Sequence, residues 1–90
     1  MSTAKALCVS YDEIGDVLYV STVKNARTDN EEVEDGLYLR YDSDTHSPVG
    51  ATVIDYKEYW AAHRGRLEKC LAKFFGISAK QTAAAIRSAL

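Results

Sequence analysis

The spacing of apolar residues changes once along this chain, near Tyr56, and the change limits the folds it can form. Before Tyr56, β-branched and aromatic residues occur in short alternating runs, which is typical of strands. After it, apolar residues recur at spacings of three and four, which is typical of amphipathic helices. A run of strands followed by helices indicates an α+β fold. We therefore predict one domain, with an antiparallel β-meander of about four strands in residues 1–56. Two helices, or three if one is broken, follow in residues 57–90 and pack on one face of the sheet.

Turn-forming sequences separate the predicted strands. The strands are Leu7 to Tyr11, Val17 to Val23, Leu37 to Tyr41 and Val49 to Asp55. The connections DEIGD and DSDTHSP are rich in Asp, Gly, Ser and Pro, which favour turns. The longer stretch KNARTDNEEVEDG is predicted to be a loop that can hold a short edge strand near Val33.

Neither face of the predicted sheet is cleanly polar. In the second strand Leu18 and Val20 point one way, while Tyr19 points the other. In an antiparallel sheet with one solvent-exposed face, apolar and polar residues alternate more strictly. We therefore expect both faces of this sheet to be covered. The helices cover one, and a second copy of the chain or a different protein covers the other. A 90-residue domain is also hard to stabilise alone, so we expect a homo-oligomer. The aromatic interface candidates are Tyr19, Tyr38, Tyr59 and Trp60.

The helical part carries clear boundary signals. Gly65 lies inside the first helical segment and predicts a kink or a break there. Gly76 suits the C-terminal cap of that segment, and Ser78 suits the N-cap of a last helix from Ala79 to about Ala89.

The stretch LAKFFGISAKQTAAAI, within residues 66–90, has the outline of a helix-turn-helix motif. Its second helix would present Ser78, Lys80, Gln81 and Arg87 to the major groove of DNA. The alanines of this helix argue against DNA recognition, because they offer few side-chain groups that could contact bases. A glycine followed by a Ser-capped helix is also ordinary helical-hairpin chemistry. We therefore favour a packed helix pair over a DNA-binding motif.

The net charge of −2 conceals an asymmetry between the halves. Residues 1–56 hold 4 basic and 11 acidic side chains, whereas residues 57–90 hold 7 basic and 2 acidic ones. Such a division indicates either a nucleic-acid surface or two parts that attract each other within or between chains. We favour attraction, because a dedicated DNA binder seldom has an acidic majority.

Acidic residues also cluster in the two predicted turns. In a simple meander DEIGD and DSDTH lie at the same end of the sheet, so Asp12, Asp16, Asp42 and Asp44 could attract a hard cation. Neither turn matches a calcium-binding loop, and Asp is a favoured turn residue in its own right. We expect no metal site, and these four residues are weak candidates only.

The sequence gives little support for catalysis or membrane association. The five glycines are scattered singly, so no phosphate-binding loop is present, and no motif joins a nucleophile to a base. Cys8 and Cys70 are expected to be buried free thiols. We therefore expect neither an enzyme nor a cofactor. No run of residues suits a signal peptide or a membrane span, and we expect a cytoplasmic protein with no membrane partner.

Three segments in the first half share an order of motifs with a known family. They are YDEIGDVLYV, EVEDGLYLRYDSD and VGATVID, within about residues 9–55. Their distinctive marks are Tyr11-Asp12, Asp16, Leu18-Tyr19, Asp35-Gly36, Tyr41-Asp42 and Val49-Gly50. The pattern resembles the domain-of-unknown-function 2283 family of small bacterial proteins. The chain departs from it at Thr52, where the family usually has an acidic residue, and residues 57–90 lie outside it.

The resemblance implies a short prokaryotic protein that is not an enzyme. Because some members of the family lie beside small toxin-like genes, it also implies an antitoxin-like role in binding a small protein partner. Two functions stay open: a homo-oligomeric protein-interaction module, and a DNA-binding regulator that uses residues 66–90. The two can coexist in one protein.

Overall fold

A computed structural model describes residues 7–22 and 27–90, which form a five-stranded antiparallel sheet followed by helices. The strands are β1 (Cys8–Asp12), β2 (Val17–Ser21), β3 (Thr28–Glu34), β4 (Leu37–Asp42) and β5 (Pro48–Ile54). A short 3₁₀ helix (Trp60–His63) leads into α1 (Arg64–Phe75), and α2 (Ala79–Ala89) follows. The predicted α+β fold is confirmed.

The strands lie in the order β1-β2-β5-β4-β3, which differs from the consecutive order of a simple meander. Two hairpins, β1-β2 and β3-β4, flank β5, which pairs with β2 on one side and β4 on the other. The central place of β5 suits its composition. Val49, Ala51 and Val53 are buried on one face, and each strand beside it adds further apolar side chains.

The acidic stretch predicted as a loop contains the whole of β3. This strand pairs only with β4, at the edge of the sheet, and its carboxylates reach solvent there. An edge strand does not need an apolar face, and charges on it oppose pairing with other chains. The apolar pattern therefore underestimates its length. Val23, the predicted end of the second strand, and residues 24–26 of the predicted loop lie outside the described residues.

The helices pack on one side of the sheet, here called the covered face. Trp60 and Phe75 are the largest of the buried side chains between the two layers. The other members of this core are Leu18, Val20, Leu37, Leu39, Ala51, Val53, Tyr56, Leu67, Leu71 and Ile86. Within the described part of the chain, no helix is both long and apolar enough to cross a membrane.

The predicted helix boundaries are largely confirmed. Gly76 ends α1 in the left-handed conformation, with φ of 73°, which glycine adopts without a steric penalty. The Ser78 hydroxyl accepts a hydrogen bond from the backbone N–H of Gln81, whose own side chain accepts one from the Ser78 backbone, which makes a capping box. The break predicted near Gly65 falls slightly earlier, at His63, where the 3₁₀ helix meets α1.

Candidate functional site

The second face of the sheet, here called the open face, lies opposite the helices. Three of its side chains, Tyr19 on β2, Thr52 on β5 and Tyr38 on β4, sit side by side across the strands. Tyr19 is 44% exposed, and Thr52 and Tyr38 are half-buried. Val17 and Ile54, also half-buried, form the next cross-strand pair. The sheet thus presents a row of aromatic and aliphatic groups to solvent.

A glycine and an arginine shape the rest of the open face. Gly50 lies directly opposite Arg40 in the sheet. A Cβ atom added to Gly50 would lie 3.1 Å from Nη1 of Arg40 and 2.9 Å from the carbonyl oxygen of Val20. The guanidinium group therefore lies over the glycine, and the Val20 carbonyl oxygen leaves no room there for a Cβ atom. Arg40 is the one cationic side chain that the described strands place on this face.

A cleft of about 490 Å³, here called the end pocket, lies where the β3-β4 turn meets the segment after β5. Its lining combines carboxylates with aromatic rings. The lining residues are Glu32, Glu34, Asp35, Gly36, Tyr38, Ile54, Asp55, Tyr59 and Trp60. The Glu32 carboxylate stands opposite Tyr38 across the strand pair and raises the pKa of its hydroxyl. This concentration of negative charge beside aromatic rings suits a cationic ligand.

One cation of the chain itself already sits at the rim of the end pocket. Arg66 of α1 forms an ion pair with Glu34 and donates a hydrogen bond of 2.7 Å to the hydroxyl oxygen of Tyr59. Its guanidinium carbon lies 5.1 Å from the ring centroid of Trp60 and 5.9 Å from that of Tyr59. The hydrogen bond to Glu34 raises the pKa of Arg66 further. A guanidinium between a carboxylate and aromatic rings is therefore a contact that this site already makes.

The indole nitrogen of Trp60 lacks a partner. Trp60 is 1% exposed, and its Nε1–H has no hydrogen-bond acceptor among the described residues. It lies beside Gly36, because a Cβ atom at Gly36 would be 3.4 Å from Nε1. A buried donor without an acceptor is costly, so the site is one acceptor short.

The interface candidates divide between these two surfaces. Tyr19 lies on the open face and Tyr59, 42% exposed, at the end pocket, while Tyr38 lies on the open face and also lines the pocket. Trp60 is buried between the sheet and the helices. It lines the inner wall of the end pocket and does not project from the surface.

The two acidic turns do not converge, so the predicted cluster of Asp12, Asp16, Asp42 and Asp44 does not form. With β5 inserted between β2 and β4, β1 and β4 run in opposite directions, and the turns that follow them lie at opposite ends of the sheet. In the described residues no three His, Cys, Asp or Glu side chains are grouped as metal ligands.

The aspartates of the turns instead complete backbone hydrogen bonding. Asp16 accepts a bond of 2.6 Å from the Tyr11 hydroxyl and bonds of 2.8 and 3.1 Å from the N–H groups of Lys57 and Glu58. These bonds lower the pKa of Asp16, and the same contact raises the pKa of Tyr11 to about 12. In the other turn Asp42 accepts from two backbone N–H groups, which lowers its pKa.

The four DNA-binding candidates occupy two kinds of position. Ser78 and Gln81 form the capping box of α2, so their polar groups are engaged in capping the start of the helix. Lys80 and Arg87 are exposed and lie seven residues apart, on one side of α2. Thr82 of the same helix is fully buried, and its hydroxyl donates to the carbonyl oxygen of Ser78.

Attraction between the acidic and basic halves is local. Across residues 7–22 and 27–90, Arg66–Glu34 is the one ion pair. The remaining basic side chains of α1 and α2 are exposed: Arg64, Lys69, Lys73, Lys80 and Arg87. Most of the positive charge of the helices therefore faces solvent.

The thiols differ from the expectation that both are buried. Cys8 is exposed, because Val9 and Tyr11 take the inward positions of β1 and leave Cys8 on the open face. Cys70 is half-buried, and burial raises the pKa of its thiol. A thiol with a raised pKa is a poor nucleophile.

Comparison with known proteins found no match among family models, curated proteins or solved structures. The family resemblance stays a prediction.

The end pocket was not predicted from the sequence, because most of its carboxylates lie in a stretch interpreted as a loop. The signal available was the run EEVEDG, in which four acidic residues precede a turn glycine.

Proposed function

We propose that this protein is a non-enzymatic protein-interaction module that assembles with copies of itself through the open face. The observation that carries this proposal is the exposure of Tyr19 and its neighbours on a sheet face without helices. Aromatic side chains in such positions concentrate binding energy at protein interfaces. A second copy would bury these side chains against its own open face, so no further surface is needed.

The size of the open face is compatible with a dimer. Five strands about 4.8 Å apart and about 20 Å long make a surface on the order of 500 Å² before the relief of the side chains is counted. Stable interfaces bury about 800 Å² on each partner, with weaker ones below that. The open face therefore supports a dimer at the lower end of this range.

The pattern of side chains also suits self-association. In a two-fold arrangement with its axis along β5, β2 of each copy would lie over β4 of the other. Tyr19 of each copy would then meet Tyr38 of the other, and Arg40 would face Ser21. The two Arg40 side chains would be offset by two strand spacings, about 10 Å, which limits their repulsion.

The family resemblance supports an antitoxin-like role for such an assembly, in which it binds a small protein partner. This support is by analogy, because the site and not the fold determines a function. The cytoplasmic location expected from the sequence belongs to the same proposal.

Light scattering after size exclusion tests the proposal. At micromolar concentration we expect a mass of at least twice the 10.0 kDa of one chain. Tyr19→Lys should reduce that mass to one chain, because two buried ammonium groups would face an apolar surface. Ile14→Lys is the matched control, since Ile14 is 99% exposed at the tip of the first turn, off the open face. A mass of 10.0 kDa for the unmodified protein would refute self-association.

The exposed cations of the helices favour a second candidate function, binding to the DNA backbone through residues 66–90. Lys80 and Arg87 supply positive charge on one side of α2. Ser78 and Gln81 form the capping box, so fewer of their polar groups are free to contact bases. Phosphate contacts of this kind weaken as salt rises. Fluorescence anisotropy of a labelled duplex should show micromolar, salt-sensitive binding that the double variant Lys80→Glu/Arg87→Glu abolishes. No binding at low salt would exclude this function.

A further inference from the structure

We propose that the end pocket binds a cationic side chain, Arg or Lys, from a basic peptide segment of a partner protein. This inference goes beyond self-association, because it concerns a different ligand, although the end pocket and the open face share Tyr38 and Ile54. It is argued from the charge of the pocket, from the unpartnered indole of Trp60 and from the edge of β3.

Charge sets the ligand class. The pocket contains four carboxylates, from Glu32, Glu34, Asp35 and Asp55, and of these Glu34 is the one paired with a cation in the described residues. Like charges brought together raise each other's energy, and a bound cation relieves the repulsion. The pocket therefore attracts positive ligands and excludes anions.

The contacts of Arg66 show how the pocket can hold such a cation. Its guanidinium lies between the Glu34 carboxylate and the faces of Tyr59 and Trp60. On the other side of the pocket, Tyr38 stands beside Glu32 in the same combination of ring and carboxylate. A second guanidinium or ammonium group could there make the contacts that Arg66 makes at the rim.

Trp60 indicates that the ligand also carries an acceptor. Its buried Nε1–H is unpartnered and lies beside Gly36, a lining residue of the pocket. Gly36 places no side chain beside Nε1, but the Ile54 carbonyl oxygen lies 3.0 Å from the same Cβ position, so an acceptor reaches the indole only with a local shift of the backbone. A peptide supplies both required groups, since its side chain carries the charge and its backbone carbonyl oxygen accepts from the indole.

The edge of the sheet favours an extended peptide over a small cation. β3 pairs with β4 on one side only, and Glu32 and Glu34 of β3 line the pocket. The outer side of β3 carries N–H and C=O groups that can pair with an added strand, and its carboxylates, which oppose pairing with most chains, attract a basic one. A peptide running along β3 would reach the pocket with its basic side chain.

Trp60 is the only tryptophan of the chain, so its fluorescence gives a direct measure of binding. The protein is titrated at low salt with acetyl-Gly-Arg-Arg-Gly-amide, and in parallel with the same peptide carrying citrulline in place of arginine. We expect saturable binding of the arginine peptide with a Kd of about 0.1–1 mM, which is reasonable for so short a ligand. The neutral citrulline peptide should bind at least about fivefold more weakly, because it lacks the charge.

Two variants locate the binding. Asp35→Asn keeps a favourable Asn-Gly turn, and Asp55→Asn keeps a residue that tolerates the positive φ of 60° found there. Each should weaken the arginine peptide about fivefold at low salt. Asp44→Asn is the matched control, because it removes the same charge at the opposite end of the sheet and should leave the Kd unchanged.

Three results would overturn the proposal. The first is no saturable response to the arginine peptide, or an equal response to the citrulline peptide. The second is an affinity that neither Asp35→Asn nor Asp55→Asn reduces, or that Asp44→Asn reduces equally. The third is a Trp60 signal that depends on protein concentration without peptide and disappears in Lys80→Glu/Arg87→Glu, since the occupant would then be a second copy. Light scattering in the same samples reports self-association separately, so failure of either proposal can be told from failure of the other.

Discussion

Leu18 and Tyr19 are neighbours on β2, and they show how differently the two faces of the sheet are used. Leu18 is fully buried on the covered face, whereas Tyr19 is 44% exposed on the open face. Both are large apolar-bodied side chains in the same strand, so local preference does not separate them. The difference arises from the helices, which reach one face only. An apolar pattern thus identifies a surface that needs a cover, and tertiary structure decides whether the chain supplies it.

The strongest test of this contrast is to truncate each neighbour. Leu18→Ala should lower the free energy of unfolding by about 3 kcal/mol, because it leaves a cavity between sheet and helices. This loss should be the same at every protein concentration. Tyr19→Ala should instead reduce the dependence of stability on concentration, since its proposed partner is another copy. Urea unfolding at two protein concentrations measures both effects, and equal, concentration-independent losses would contradict the contrast.

A glycine substitution tests how tightly the open face is built. Gly50→Ala should lower the free energy of unfolding by about 2 kcal/mol, because the new Cβ atom meets the Val20 carbonyl oxygen and the Arg40 guanidinium. Gly65→Ala in α1 is the control, since nothing lies within 4 Å of its Cβ position, and it should be neutral or stabilising by up to about 0.5 kcal/mol. If urea unfolding showed no loss for Gly50→Ala, the close approach of the Val20 carbonyl oxygen to Gly50 would be wrong.

Asp16 ties the end of the covered face to the segment after β5, and its effect should depend on pH. Folding lowers the pKa of Asp16 through bonds from Tyr11, Lys57 and Glu58. The stability it contributes is therefore present above the ordinary carboxyl pKa near 4 and is lost as the pH falls through the lowered value. Asp16→Asn should reduce the melting temperature at pH 7 by about 5 °C and make its decline below pH 4 shallower. Thermal melts from pH 7 to pH 2 check this, and identical acid profiles would exclude the role.

Tyr11 gives the smallest predicted effect, at the alkaline end. Its pKa is raised to about 12 by its bond to Asp16, above the ordinary value of 10.0. The contribution of this hydroxyl to the free energy of unfolding is therefore fully present below pH 10 and is lost as the pH rises toward 12. Tyr11→Phe should remove that part of the alkaline decline. Absorbance titration of the tyrosinate band provides the measurement, and a Tyr11 that ionises near its ordinary value would contradict the bond.

Local chemistry made much of the helical part predictable from the sequence. Gly76 and Ser78 ended and started helices as their conformational preferences require. The α+β division followed from periodicity alone. Strand order was not predictable in this way, because the insertion of β5 depends on contacts between residues far apart in the chain. The separation of Asp12 from Asp42 follows from that order, which is why the expected clustering of the turn aspartates was wrong.

The end pocket was missed for a related reason. The carboxylates in EEVEDG do not alternate with apolar residues, so the sequence predicted only a short edge strand near Val33 and placed no aromatic ring beside the carboxylates. The register between β3 and β4 brings Glu32 opposite Tyr38, and the segment after β5 adds Asp55 and Tyr59. Each contribution comes from a different part of the chain, and only the folded arrangement combines them.

The central claim is that the open face is covered by a second copy with Tyr19 against Tyr38. An isotope-filtered nuclear Overhauser experiment tests it most directly, on a mixture of ¹³C-labelled and unlabelled protein, which detects contacts between copies only. We predict intermolecular cross-peaks between the ring protons of Tyr19 and Tyr38, which Tyr19→Lys abolishes. Intermolecular cross-peaks confined to residues of α1 and α2, or none at concentrations where the mass exceeds one chain, would contradict the claim.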